Sequence, residues 1–118
     1  MHSAQHKGRI YPTEDQEAIA FAEMLRLKKL RFSHIVNEAQ TKNWGAINKA
    51  RRMGKAKGVP DYLIVKGREL IFVELKRTKG GVVSEEQKQW IEALNRVEGV
   101  RAGICRGAEE AMRFVKNQ

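Results

Sequence analysis

Asp61, Glu74 and Lys76 are the residues of this 118-residue chain whose types and spacing could do chemistry together. Tyr62-Leu63-Ile64-Val65 and Leu70-Ile71-Phe72-Val73 are apolar runs joined by Lys66-Gly67-Arg68-Glu69, which reads as a β-hairpin. With Gly67-Arg68 as its loop, Lys66 opposes Glu69 and Asp61 falls opposite Glu74. A four-residue loop keeps that register, whereas a three-residue loop or a bulge breaks it. Directly opposed residues carry Cβ atoms about 4.5 to 5.5 Å apart on one face, so two carboxylates are forced together. Their repulsion is relieved by a proton or a divalent cation, and hard oxygen ligands suit Mg²⁺ or Mn²⁺. Strand alternation sets Lys76 on the same face. A metal that polarises a phosphate and acidifies a water, with an ammonium beside it, is the equipment for phosphodiester hydrolysis. The ordinary alternative is a pair of solvated strand-end acids with a surface salt bridge of about 0 to 1 kcal/mol. The register favours the site.

These residues need a scaffold, and the chain supplies one in the order α-β-(basic segment)-β-β-α-β-α. Residues 1–10 are a polar lead expected to be mobile. Thr13 with Gln16 makes a capping box for a helix running to about Leu30, with Ala18, Phe21, Ala22 and Leu25 on one face. Glu14 shares that face one turn earlier, while Glu17 falls off its edge. Arg31 to Val36 reads as a short strand ending at Asn37-Glu38. After the hairpin, Ser84 with Gln87 caps a helix to about Val97, and Trp90, Ile91 and Leu94 form its apolar side, with Trp90 expected in the core. Arg101 to Cys105 is a last strand and Ala108 to Lys116 a last helix. The result is a small α/β sandwich, a mixed β-sheet flanked by helices, in a single domain over 1–118.

Charge identifies the partner class. With 23 bases against 14 acids the net charge is +9, and the pI is near 10.0, which points to a polyanion, most often nucleic acid. The positive residues concentrate at Lys42, Lys49, Arg51, Arg52, Lys55 and Lys57, interleaved with glycines and Trp44. Gly45 to Met53 reads as a short basic helix between glycine joints. Phosphate contact is the better reading for this run than a solvated face, and Trp44 divides between core and nucleic-acid contact. Nothing resembles a membrane span or a signal peptide, and one cysteine, Cys105, excludes an internal disulfide and a four-cysteine zinc site. A cytoplasmic location is expected, with no membrane partner. His34 reads as a strand residue with a satisfied ring; His2 and His6 lack zinc-module spacing.

Gly58-Val59-Pro60-Asp61 followed by Glu74-Leu75-Lys76 resembles the PD-(D/E)xK nuclease motif. More narrowly, His34-Ile35-Val36-Asn37-Glu38, Gly58 to Asp61, Glu74-Leu75-Lys76-Arg77 and Ser84-Glu85-Glu86-Gln87-Lys88-Gln89-Trp90 resemble the virus-type replication-repair nuclease (VRR-NUC) family, from Glu14 to about Arg106. The resemblance implies a restriction-endonuclease-like fold, Asp61, Glu74 and the backbone carbonyl of Leu75 as metal ligands, and Lys76 as the catalytic lysine. It implies a helix glutamate completing the site, with Glu14 the choice and Glu17 the alternative. Gln87 would contact the lysine or a water. Capping Ser84 is the structural alternative for Gln87, and a functional role is favoured only through the resemblance.

The expected activity is that of a Mg²⁺- or Mn²⁺-dependent, structure-selective DNA endonuclease, with branched DNA such as a Holliday junction as the substrate in replication, recombination or repair. DNA over RNA rests on the resemblance alone. One site per chain cuts one strand, so paired cuts in a junction call for a two-fold homodimer. The alternatives are a non-catalytic basic nucleic-acid-binding module and a nuclease acting on RNA; a binding module has no need of a lysine beside two opposed carboxylates.

Overall fold

The computed structural model describes residues 10–35 and 43–117. Val36, Asn37 and Glu38, expected at the end of the first strand, and Lys42, expected to contact phosphate, lie outside these residues, as do His2 and His6. The elements are α1 (Glu14–Leu27), β1 (Arg31–His34), α2 (Trp44–Arg52), β2 (Tyr62–Lys66), β3 (Glu69–Lys76), α3 (Glu85–Asn95), β4 (Val100–Arg106) and α4 (Ala108–Lys116). The architecture is the expected small α/β one. Its four strands run in the order β1-β2-β3-β4. The first three pair antiparallel and β4 joins β3 in parallel, because α3 carries the chain back before β4 begins.

The hairpin has the two-residue loop. Lys66 pairs with Glu69 and Tyr62 with Val73, and Gly67 takes the positive φ of 60° that such a tight turn requires. Both capping boxes form: Gln16 N–H donates to Thr13 Oγ1 at 3.1 Å, and Gln87 N–H to Ser84 Oγ at 3.1 Å. Helix α1 stops at Leu27, short of the expected Leu30, because Lys29 turns left-handed at φ 58°. That reversal brings Leu30 back against the core and leaves Leu27 in solvent. The basic helix starts one residue earlier than expected, at Trp44, because Asn43 Oδ1 accepts the Ala46 N–H at 2.9 Å.

One sheet face is thoroughly covered. Phe21 and Leu25 of α1 and Ala111, Met112 and Val115 of α4 close over Tyr62, Ile64, Ile71, Val73 and Leu75. Phe21 meets Tyr62 edge to face with ring centroids 5.0 Å apart, and each large apolar side chain buried here contributes about 1.5–3 kcal/mol.

The apolar side of α1 corrects the sequence reading. The residue one turn ahead of Phe21 and Leu25 is Glu17, which is buried, while Glu14 is exposed. Glu17 Oε1 accepts the Ala108 N–H at 2.8 Å and Oε2 accepts the Thr78 hydroxyl at 2.7 Å. It serves as the N-terminal anion of α4, whose own cap residue, Gly107, has no side chain to do so.

Helix α3 lies across the other face, toward β4. Asn95 docks it by donating Nδ2 to Ala102 O and accepting Ala102 N–H at Oδ1, both at 2.9 Å. No residue of α3 is buried. Trp90, expected in the core, is therefore half-buried, because a helix lying over the margin of a sheet keeps much of its flank in water.

Candidate active site

Asp61 directly precedes β2, and Glu74 and Lys76 lie near the end of β3 on the α3 side of the sheet. What brings the segment before Asp61 into place is a close approach. Gly58 has φ 88°, and a Cβ there would lie 2.7 Å from the backbone carbon of Glu86 and 2.8 Å from the Gln87 nitrogen. Only glycine lets this loop rest on the first turn of α3. Pro60 is fully buried after it, and the Ile35 N–H donates to Asp61 O at 2.7 Å.

The side chains then converge. Asp61 Oδ1 accepts the Leu75 N–H at 3.0 Å, which fixes the carboxylate across the hairpin from Glu74. In a strand the N–H and C=O of one residue point to the same neighbour, so the Leu75 carbonyl faces Asp61 as well. Lys76 O, by alternation, faces β4 and accepts the Gly107 N–H at 2.9 Å. Glu74 is only 7% exposed. Gln87 Nε2 donates to Glu74 Oε2 at 2.9 Å, and the Lys76 ammonium lies 3.5 Å from the same oxygen.

Electrostatics follow from that burial. Desolvation, reinforced by the Asp61 charge, pushes the Glu74 carboxyl up to about 7, with Lys76 pulling against it. Burial also raises Asp61 above its ordinary value, opposed first by the Leu75 N–H and then by His34. Two neighbouring carboxylates that are costly to ionise together accept either a proton or a cation, and their oxygens with the Leu75 carbonyl form a donor set that fits a hard divalent ion. Among the described residues no three His, Cys, Asp or Glu side chains group around a metal position.

His34 is a neighbour the sequence reading did not place here. Its ring stacks on Tyr62 with centroids 4.3 Å apart, and Nε2 lies 3.9 Å from Asp61 Oδ2. The signal that could have found it is the pairing of β1 with β2, which sets His34 across from Tyr62. Glu14, the chosen helix glutamate, points into solvent; Glu17, the alternative, is engaged by Thr78 and Ala108.

The basic segment lies ahead of this site in the chain. Lys49, Arg51, Arg52, Lys55 and Lys57 are exposed, and none pairs with a carboxylate among the described residues. Trp44 is 71% exposed, so the core reading of that residue does not hold. Among the described residues no helix is long and apolar enough to cross a membrane.

Comparison with known proteins agrees with the motif reading. The VRR-NUC domain matches residues 12–109. A solved structure described as a "VRR_NUC domain protein" superposes with a TM-score of 0.65 at 22% identity, covering 92% of this chain and 88% of that one. No curated protein matches the chain.

Proposed function

The chain belongs to the VRR-NUC family, a nuclease-related one, and from that premise we propose that it is a metal-dependent, structure-selective DNA endonuclease of the PD-(D/E)xK type. The observation that carries the reading is the convergence of Asp61, Glu74, Lys76 and Gln87 at one buried corner of the sheet. Mg²⁺ or Mn²⁺ held by Asp61, Glu74 and the Leu75 carbonyl would supply positive charge for the scissile phosphate and acidify a water.

The chain's own groups do the positioning. Leu75 N–H holds Asp61 in one rotamer and Gln87 holds Glu74, so both carboxylates are set before substrate arrives. Lys76, tethered beside Glu74, orients the nucleophile and offsets negative charge developing on the phosphate. Lys49, Arg51, Arg52, Lys55 and Lys57 hold the backbone of the DNA without reading its sequence. One such site cuts one strand, so symmetrical cutting of a four-way junction takes a two-fold homodimer.

The test is incubation with linear, flapped and four-way-junction DNA in Mg²⁺, Mn²⁺ or EDTA, with product ends mapped. Asp61→Ala, Glu74→Ala and Lys76→Ala should each lower cleavage by about 10²-fold or more while affinity in EDTA stays near wild type. Mixing wild-type with Asp61→Ala chains on a junction-bearing supercoiled plasmid should convert paired cuts into single nicks. Full activity in the Lys76 variant, or paired cuts by a chain that sediments as a monomer, contradicts the respective part. Metal-independent binding without cleavage of any substrate would leave a nucleic-acid-binding module.

A further inference from the structure

We propose that the cleft between Lys57 and one face of α3 is a nucleobase subsite, in which Trp90 stacks on a base of the bound DNA strand and Lys57 holds the adjoining phosphate. This rests on the chain acting on DNA and adds to that reading the place where the strand beside the scissile bond is gripped.

Glu86, Gln89, Trp90 and Ala93 follow the i, i+3, i+4, i+7 pattern of a single helix face, and with Lys57 they line a cleft of about 280 Å³. That lies just below the roughly 300–1,000 Å³ of clefts that take whole small ligands, a size suited to one planar base. The composition is also that of a base site. An indole gives a stacking surface that any base can use. The small Ala93 one turn on leaves room beside it. The Gln89 amide offers both a donor and acceptors to a base edge whatever the base. Lys57 is exposed and has no ion pair among the described residues, although Glu86 lines the same cleft. Its ammonium is therefore available to a phosphate.

Position is the second argument. Gly58, wedged against the backbone of Glu86 and Gln87, sets how far Lys57 stands from α3. Gln87, on the first turn of that helix, reaches out to Glu74. The cleft thus takes its cation from the end of the basic segment and its other wall from the helix whose Gln87 holds Glu74, so one element links the subsite to the carboxylate pair. Trp44 is mostly in solvent and does not line this cleft.

The experiment uses the full chain with Trp44→Phe, which leaves Trp90 as its one indole. In EDTA, a short single-stranded oligodeoxynucleotide should quench Trp90 fluorescence to saturation, and an abasic position walked along the strand should abolish the quench at one register. Trp90→Leu should bind about tenfold more weakly, the size of one lost stack, and should lose its sensitivity to the abasic position, whereas Trp90→Phe should keep both. Lys57→Gln should weaken binding with a reduced salt slope and leave the quench at saturation intact. If Trp90→Leu fails to fold, the quench of the native indole still decides. Binding seen by anisotropy with no Trp90 response at any register overturns the subsite. Cleavage of the same oligonucleotides in Mn²⁺ is scored separately: cleavage without a Trp90 response removes only the subsite, and a response without cleavage on any substrate removes only the nuclease reading.

Discussion

Gln87 and Glu74 are joined by a 2.9 Å hydrogen bond from the glutamine amide, while the oxygen of that amide accepts the Ser84 N–H at 3.0 Å. One planar group thus closes the capping box of α3 and holds a buried carboxylate, so Gln87 makes both contacts at once. Ser84→Ala and Gln87→Ala should each destabilise the fold by about 1 kcal/mol through the missing cap. Only Gln87→Ala should also lower kcat, because only it frees Glu74. Thermal melts and single-turnover rates on the two variants separate the effects; equal rates would confine Gln87 to capping.

The Glu74 carboxyl, raised to about 7 by burial and by Asp61, makes stability depend on pH with a definite sign. The folded state holds the proton more tightly than the open chain, so the stabilising contribution is complete below the ordinary value of 4.5 and is lost as pH rises through about 7. In EDTA the wild-type Tm should fall between pH 5 and pH 8 relative to Glu74→Gln, which cannot ionise. Mn²⁺ should restore the wild-type Tm at pH 8 and leave Glu74→Gln much less affected. Parallel pH profiles for the two proteins would show that Glu74 is not the group responsible.

Glu17 and Glu14 differ in what their removal would do. Glu17→Ala removes the acceptor of both Ala108 N–H and the Thr78 hydroxyl in a buried setting, so a loss of about 1–3 kcal/mol is expected. Glu14→Ala, at an exposed position, should stay within about 0.5 kcal/mol and keep wild-type cleavage. Denaturant unfolding of the pair measures this; matching losses would place Glu14 in a role its exposure does not suggest.

Neutralising Arg51, Arg52 and Lys55 together should weaken binding to all DNA sequences alike. The slope of log affinity against log salt should fall by up to about 0.9 for each phosphate that no longer meets a cation. A changed sequence preference at constant slope would contradict a backbone role.

The sequence made legible what is decided locally. Gly67-Arg68 determines the hairpin register, and that register alone puts Asp61 across from Glu74; Ser84 and Gln87 announce the start of α3 at the right residue. What it hid is decided by partners far along the chain. Glu17 looks misplaced on a helical wheel that counts only apolar neighbours, because the groups that satisfy it, Thr78 and Ala108, come 61 and 91 residues later. His34 acquires a site neighbour only when β1 pairs with β2. The spacing of Trp90 with Leu94 points to the core, and spacing does not reveal that α3 lies over the margin of the sheet.

Helix α4 is clasped at both ends by charge that belongs to other elements. Glu17 of α1 meets its first N–H, and at its last turn Lys66 of β2 donates to Val115 O at 2.8 Å and to Lys116 O at 3.0 Å, while Arg101 of β4 bonds Val115 O at 3.2 Å and also Phe114 O. Each of these groups must give up water to make its contact, and none can do so until the first helix, the hairpin and the last strand already stand in their final places. The C-terminal helix is therefore held by contacts that exist only in the assembled fold. Its docking joins the first and last helices in one cooperative unit, so an amide in α1 and an amide in α4 should exchange with solvent at the same rate, that of global opening.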